Sequence, residues 1–181
     1  MKKDMRKNCA FIILALFALA GCGKLFKDDE LTIIRQPYNG NELRTDGYYY
    51  YQWVNDTTHL NILFLYKNGI VLAIPNALST EELPEWEESF RNGEFYNRYK
   101  DDKSFWGVFS IEGNSIIYEK WGINQGGGMP VGQFKGPILS DTSFQIISFL
   151  EPKTGIVQEI DYLYHFKPFS PKPDSTNQYI H

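Results

Sequence analysis

The dipeptide Asn68-Gly69 lies between two apolar runs, His59 to Lys67 and Ile70 to Pro75. Both turn residues tolerate positive φ, so the pair predicts two antiparallel strands joined by a two-residue loop. That register sets Tyr66 opposite Val71 and Phe64 opposite Ala73, with Leu65 and Leu72 on the other face. Both faces of the hairpin are then apolar, which argues for a place in the middle of a sheet rather than at an edge with one wet face.

The same pattern recurs along the chain. Phe105–Glu112 and Ser115–Trp121 flank Gly113-Asn114, a second hairpin signal that pairs Ile111 with Ile116, Phe109 with Tyr118 and Trp106 with Trp121. Gly47–Val54, Val131–Leu139, Ser143–Leu150 and Val157–Lys167 complete eight short β-rich runs. The last of them alternates Ile160, Tyr162, Tyr164 and Phe166 with Asp161, Leu163, His165 and Lys167, as a half-buried strand does. One short helix is expected between strands three and four. Ser79 and Glu82 have capping-box spacing, Pro84 suits a first turn, Trp86 and Phe90 make an apolar stripe, and Gly93 marks a stop. Residues 94–103 read as a further turn or a loop. Eight strands joined mostly by short turns predict an antiparallel up-and-down barrel or a related two-sheet sandwich, since closure removes the edges that invite aggregation.

Composition narrows the function. The net charge of −4 carries no polybasic footprint for nucleic acid. Two cysteines are too few for a disulfide scaffold or a four-thiolate zinc site. The 13 Phe, 12 Tyr and 4 Trp are more aromatic mass than a small core ordinarily holds.

The N-terminus has three zones: a basic head (Lys2, Lys3, Arg6, Lys7), a 12-residue apolar run from Cys9 to Ala20, and Leu19-Ala20-Gly21-Cys22. The run is shorter than the roughly 20 residues of a permanent membrane helix and fits a secretory signal peptide. The ending resembles the lipobox of bacterial lipoproteins. That resemblance implies removal of residues 1–21 and acylation of Cys22, with palmitate-like chains holding the protein on a membrane. Removing those residues leaves 14 basic and 21 acidic side chains, a net charge of −7, and no free thiol once Cys22 is acylated. Lys27-Asp28-Asp29-Glu30 resembles the export tag of some Gram-negative surface lipoproteins, or is a solvated charge cluster. Residues 22–46 read as a flexible tether, 47–169 as the barrel, and 170–181, rich in proline and polar residues, as a disordered tail.

The phrases Leu63-Phe64-Leu65-Tyr66-Lys67-Asn68-Gly69 and Trp106-Gly107-Val108-Phe109-Ser110-Ile111-Glu112-Gly113-Asn114 resemble lipocalin-like lipoproteins of Gram-negative bacteria over residues 45–168. The resemblance implies a lipocalin-like β-barrel anchored to the outer membrane, and a fold likeness of this kind transfers no ligand.

Catalytic constellations are weak. Glu81, Glu82, Glu85, Glu87 and Glu88 suit an exposed acidic helix face better than a glycosidase pair. His59, His165 and His181 have no nucleophile elbow or zinc-ligand spacing beside them. Gly126-Gly127-Gly128 lacks the Lys-Ser/Thr of a phosphate loop and reads as a strand connector at a barrel mouth. Asp56-Thr57-Thr58 and Asp174-Ser175-Thr176 resemble short O-glycosylation signals of exported proteins. No catalytic residue, metal site or cofactor is assigned, and no enzyme is expected. The aromatics carry the functional expectation, against a background of plain core packing. Tyr49, Tyr51, Trp53, Phe109, Tyr118, Tyr162 and Tyr164 are the candidate lining of a cavity for a small apolar or amphiphilic ligand. The alternative is a surface accessory lipoprotein whose exposed aromatics hold a glycan or another envelope protein.

Overall fold

A computed structural model describes residues 27–53, 56–123 and 127–181. Cys22 and the proposed signal peptide lie outside them. Eight strands run in chain order: β1 (Gly47–Trp53), β2 (Asp56–Leu65), β3 (Ile70–Ser79), β4 (Trp106–Glu112), β5 (Ser115–Trp121), β6 (Val131–Ser140), β7 (Ser143–Glu151) and β8 (Ile156–Pro168). Each pairs antiparallel with its sequence neighbour, and β8 returns to β1 through Tyr49 opposite Phe166, so the sheet closes into a barrel. The protein is thus mainly β, an eight-stranded antiparallel meander of the lipocalin-like kind.

The second hairpin has the expected register, Ile111 opposite Ile116 and Phe109 opposite Tyr118. The first differs by one residue. Phe64 faces Leu72, Leu65 faces Val71, and the Tyr66 amide donates to the Ile70 carbonyl at 3.0 Å. The loop therefore has three residues, Lys67-Asn68-Gly69, and ends in Gly69 at φ 84°, the geometry of a three-residue hairpin that closes on a left-handed glycine. Because strand side chains alternate, the one-residue difference changes the pairing: Leu65 and Val71 point into the barrel, while Phe64, Tyr66 and Leu72 point out.

Both faces of this hairpin are buried, as expected, but against different things. Leu63, Leu65, Val71 and Ala73 pack inside the barrel. Outside, Phe64 meets Phe90 at 5.4 Å, and Phe90 meets Phe95 at 5.0 Å and Phe169 at 6.0 Å. These partners come from two short helices and from the chain beyond β8. Helix α1 (Leu83–Arg91) starts after a turn in which the Glu82 amide donates to Ser79 Oγ at 3.1 Å, with Pro84 in its first turn. Gly93, at φ 80°, then breaks the helix, and α2 (Glu94–Tyr99) begins. The single helix expected from sequence is therefore two.

The tether and the tail also differ from expectation. Residues 27–46 lie along the barrel instead of hanging free. Buried Glu119, outward-facing on β5, accepts from the Thr32 amide at 2.6 Å, the Ile33 amide at 2.9 Å and Gln133 Nε2 at 2.8 Å, and from the Thr32 hydroxyl. Farther on, Leu43 and Tyr38 plug one end of the barrel, Tyr38 packing on Phe109 at 5.4 Å. Residues 170–181 pack on the outer wall. Tyr66 donates to the Pro173 carbonyl at 2.9 Å, Tyr96 to that of Thr176 at 2.9 Å, and Lys172 Nζ to that of Leu65 at 3.0 Å, and Ile180 is buried. Neither segment shows a hydrophobic period, because each is held by isolated side chains and by hydrogen bonds to partners distant in sequence.

Two measurements test this frame. A Cβ at Gly69 meets the Gln36 carbonyl oxygen at 2.2 Å, whereas one at Gly155 (φ 72°) meets nothing within 4 Å. Gly155→Ala is expected to cost about 1–2 kcal/mol in denaturant unfolding, the left-handed strain alone, and Gly69→Ala distinctly more. For Glu119→Ala, amide exchange at Thr32 and Ile33 is expected to rise roughly tenfold or more, as donors worth about 1–3 kcal/mol lose their acceptor, while the β-sheet circular dichroism stays unchanged.

Candidate functional site

Inward positions on β1, β5, β6 and β8 converge at the barrel end opposite the Tyr38–Leu43 plug. Tyr51 stacks on Tyr162 with centroids 4.5 Å apart and planes 9° apart, and meets Tyr164 edge-on at 4.8 Å. Tyr118 stacks on Phe134 with ring centroids 4.7 Å apart. Ala73 also faces inward here, and its small side chain leaves room. The result is a void of about 200 Å³ lined by Tyr51, Asn61, Ala73, Tyr118, Tyr162 and Tyr164, with Lys120 at its mouth. It lies below the roughly 300–1,000 Å³ of drug-sized pockets, so it suits a small molecule or one end of a longer one. A cleft of about 100 Å³ beside it shares Lys120 and Phe134.

Lys120 shares inward parity with Ile116 and Tyr118. It stands opposite Gly107, where a Cβ would come within 2.0 Å of the Glu119 carbonyl oxygen and 2.9 Å of Lys120 Cβ, so the glycine makes the close approach possible. Lys120 Nζ donates at 3.3 Å to the backbone carbonyls of Ser104 and Trp121. No described carboxylate lies within ion-pair distance of it. Burial pushes Lys120 down to about 8, against the weaker pull of Asp102. Burial also holds the Tyr51, Tyr118 and Tyr164 hydroxyls well above the ordinary tyrosine value. The site at neutral pH is therefore a ring-walled void with neutral hydroxyls and one half-buried cation.

Of the seven rings named from sequence, the structure brings four together: Tyr51, Tyr118, Tyr162 and Tyr164. Tyr49 and Phe109 belong instead to the plugged end. Tyr49 packs on Phe144 and Phe166 at 5.0 and 5.2 Å and donates to the Asp141 carbonyl at 2.8 Å, so it is structural packing. Trp53 ends β1 at the mouth, and its side chain lies outside the described residues. Lys120 and Asn61 were missed. The Ile116-Tyr118-Lys120 alternation held the signal for the first, since a lysine in phase with a core tyrosine must face the barrel interior.

Other candidates do not converge on the void. Glu81, Glu82, Glu85 and Glu88 are exposed, while Glu87 accepts from Tyr48 and pairs with Lys167, both at 2.7 Å. His59 and His165 are exposed on different strands, and His181 ends the tail. Of Gly126-Gly127-Gly128, the first lies outside the described residues. Just after them, at the mouth, the Met129 amide donates to Asp28 and its carbonyl accepts from the Asp29 amide. A further depression of about 570 Å³ is an outer groove between the N-terminal segment and the tail. Its charges are largely satisfied among themselves, through Lys27–Glu30 and Lys103–Asp28 at 2.7 and 2.8 Å. Every described aromatic side chain is buried or half-buried.

Comparison with known proteins finds no family model, no curated protein and no solved structure that matches the chain.

Lys120 and Lys172, the second also pushed down to about 8 by burial, give stability a pH dependence of definite sign. The unfolded lysines keep their protons up to about 10.4, so between pH 8 and that value the unfolded chain binds more protons and stability rises with pH. The buried tyrosines reverse the slope above about pH 10, where unfolded tyrosines ionise first. Denaturation midpoints are expected to increase from pH 7 to 9.5 and fall beyond 10.5. In Lys120→Met the increase is expected to shrink.

Proposed function

We propose that the chain is a non-enzymatic binding module of a Gram-negative cell envelope, anchored to the outer membrane through acylated Cys22, that holds a small amphiphile with an acidic head in the barrel mouth. The observation that carries this reading is the tyrosine-lined void with Lys120 at its opening. The rings offer an apolar wall, the neutral hydroxyls donate hydrogen bonds, and a lysine with no described ion-pair partner attracts an anion more strongly for being partly desolvated. The lipobox-like Leu19-Ala20-Gly21-Cys22 supports the anchor. The accessory reading, in which exposed aromatics grip a glycan or an envelope protein, finds no such platform among the described side chains.

Native mass spectrometry of protein purified from its own membranes tests the ligand. A small acidic mass is expected beyond the acyl groups, lost or reduced at least tenfold in occupancy by Lys120→Leu; protein carrying acyl groups alone would remove the ligand from the account. Cys22→Ala is expected to move the chain from the membrane to the soluble fraction, and unchanged fractionation argues against the anchor.

A further inference from the structure

The described part of the N-terminal segment begins at the barrel mouth. Trp121 Nε1 donates to the Asp29 carbonyl at 2.8 Å, and the Asp29 amide donates to the Met129 carbonyl at 2.9 Å. Lys103 and Lys153 pair with Asp28 and Asp29, both at 2.8 Å. Residues 28 and 29 are thus fastened to the β5–β6 and β7–β8 connections, the turns that rim the open end. Exposed aliphatic side chains lie in and beside them: Ile123 in the β5–β6 connection at 70% exposure, and Ile156 and Val157 at the start of β8 at 50% and 64%. The opposite end is plugged; its turns, Lys67-Asn68, Gly113-Asn114 and Asp141-Thr142, carry no large apolar residue, and one exposed aliphatic side chain, Leu139 at 56%, lies beside the last of them among the described residues.

Lys27 is five residues beyond Cys22, a leash that spans at most about 17 Å. The barrel wall is longer. Strands of seven to ten residues, rising about 3.3 Å each and tilted as barrel strands are, span roughly 16–27 Å, and the turns at each end add to that. A chain leaving the mouth on so short a leash cannot turn the plugged end to the surface that holds its anchor.

We infer that the open end of the barrel faces the bilayer, with Ile123, Ile156 and Val157 dipping into the headgroup region and the void opening on the lipid surface. This rests on the anchor at Cys22 proposed above. Its consequence is a route for the ligand: an amphiphile passes between membrane and barrel with its tail shielded throughout, and Lys120 meets its head at the entrance.

The test uses full-length protein processed in its own envelope, purified, and reconstituted into phosphatidylethanolamine–phosphatidylglycerol vesicles. Ile123→Cys, Val157→Cys and Lys67→Cys variants are each labelled with bimane. Lipids bearing a quencher near the headgroup are expected to quench bimane at 123 and 157 at least twofold more than at 67, with a blue shift on vesicle binding. Equal quenching at all three sites, or stronger quenching at 67, overturns the orientation while the protein stays on the vesicles and the anchor stands. A blue shift at 123 and 157 without lipid quenching assigns the rim to a second copy or another protein and likewise overturns it. Failure of the acylated chain to bind vesicles overturns the anchor and this inference together.

Discussion

The pairing of β8 with β1 is the interaction on which the other features depend. It converts a meander with two open edges into a barrel in which every strand has two neighbours, and it fixes the interior at a width that side chains nearly fill. Within that limit the size of each inward residue decides whether space remains. Leu43, Tyr49, Phe109 and Phe144 fill one end. At the other, Ala73 leaves a void and Gly107 gives Lys120 room to approach.

Closure also explains where so many aromatics go. Rings from β1, β5, β6, β7 and β8 pack inside. A second layer on the outer face of β1 to β5 is roofed by α1, α2 and the tail, with Phe90 in contact with Phe64, Phe95 and Phe169. Several phenols bury the ring and hand the hydroxyl to a group outside the layer: Tyr48 to Glu87, Tyr49 to Asp141 and Tyr66 to Pro173. A tyrosine placed this way contributes apolar area without leaving a buried donor unmet. Among the described residues nothing roofs the outer face of β6 to β8, and Leu139, Ile147 and Leu163 are exposed there.

Glu119 shows how a strand position expected to be polar becomes structural. It points outward, yet the segment at Thr32–Ile33 covers it and supplies three of the four donors it accepts from. The same segment runs from the mouth, where Asp28 and Asp29 are held, to the plug at Tyr38 and Leu43. One irregular stretch of chain thus joins the two ends of the barrel and sets the point from which the proposed anchor departs.

Much of this was legible beforehand. All eight strands, the helix position and the Gly113-Asn114 register follow from alternation and turn residues, because those signals are local. Four of the seven expected cavity rings converge for the same reason, since β5 and β8 alternate cleanly. The register at Asn68-Gly69 was not legible: a two-residue and a three-residue loop are both compatible with that dipeptide, and barrel packing of Leu65 against Val71 selects the second. The courses of residues 27–46 and 170–181 were hidden too. Their contacts are single side chains, such as Thr32 on Glu119 and Tyr66 on Pro173, separated by roughly ninety and a hundred residues, and no local period records them. Sequence by itself determined the strands, their order and an aromatic interior. Only the tertiary structure decided which end is plugged, which rings meet at the other and that Lys120 joins them, because these depend on which strands become neighbours when the sheet closes.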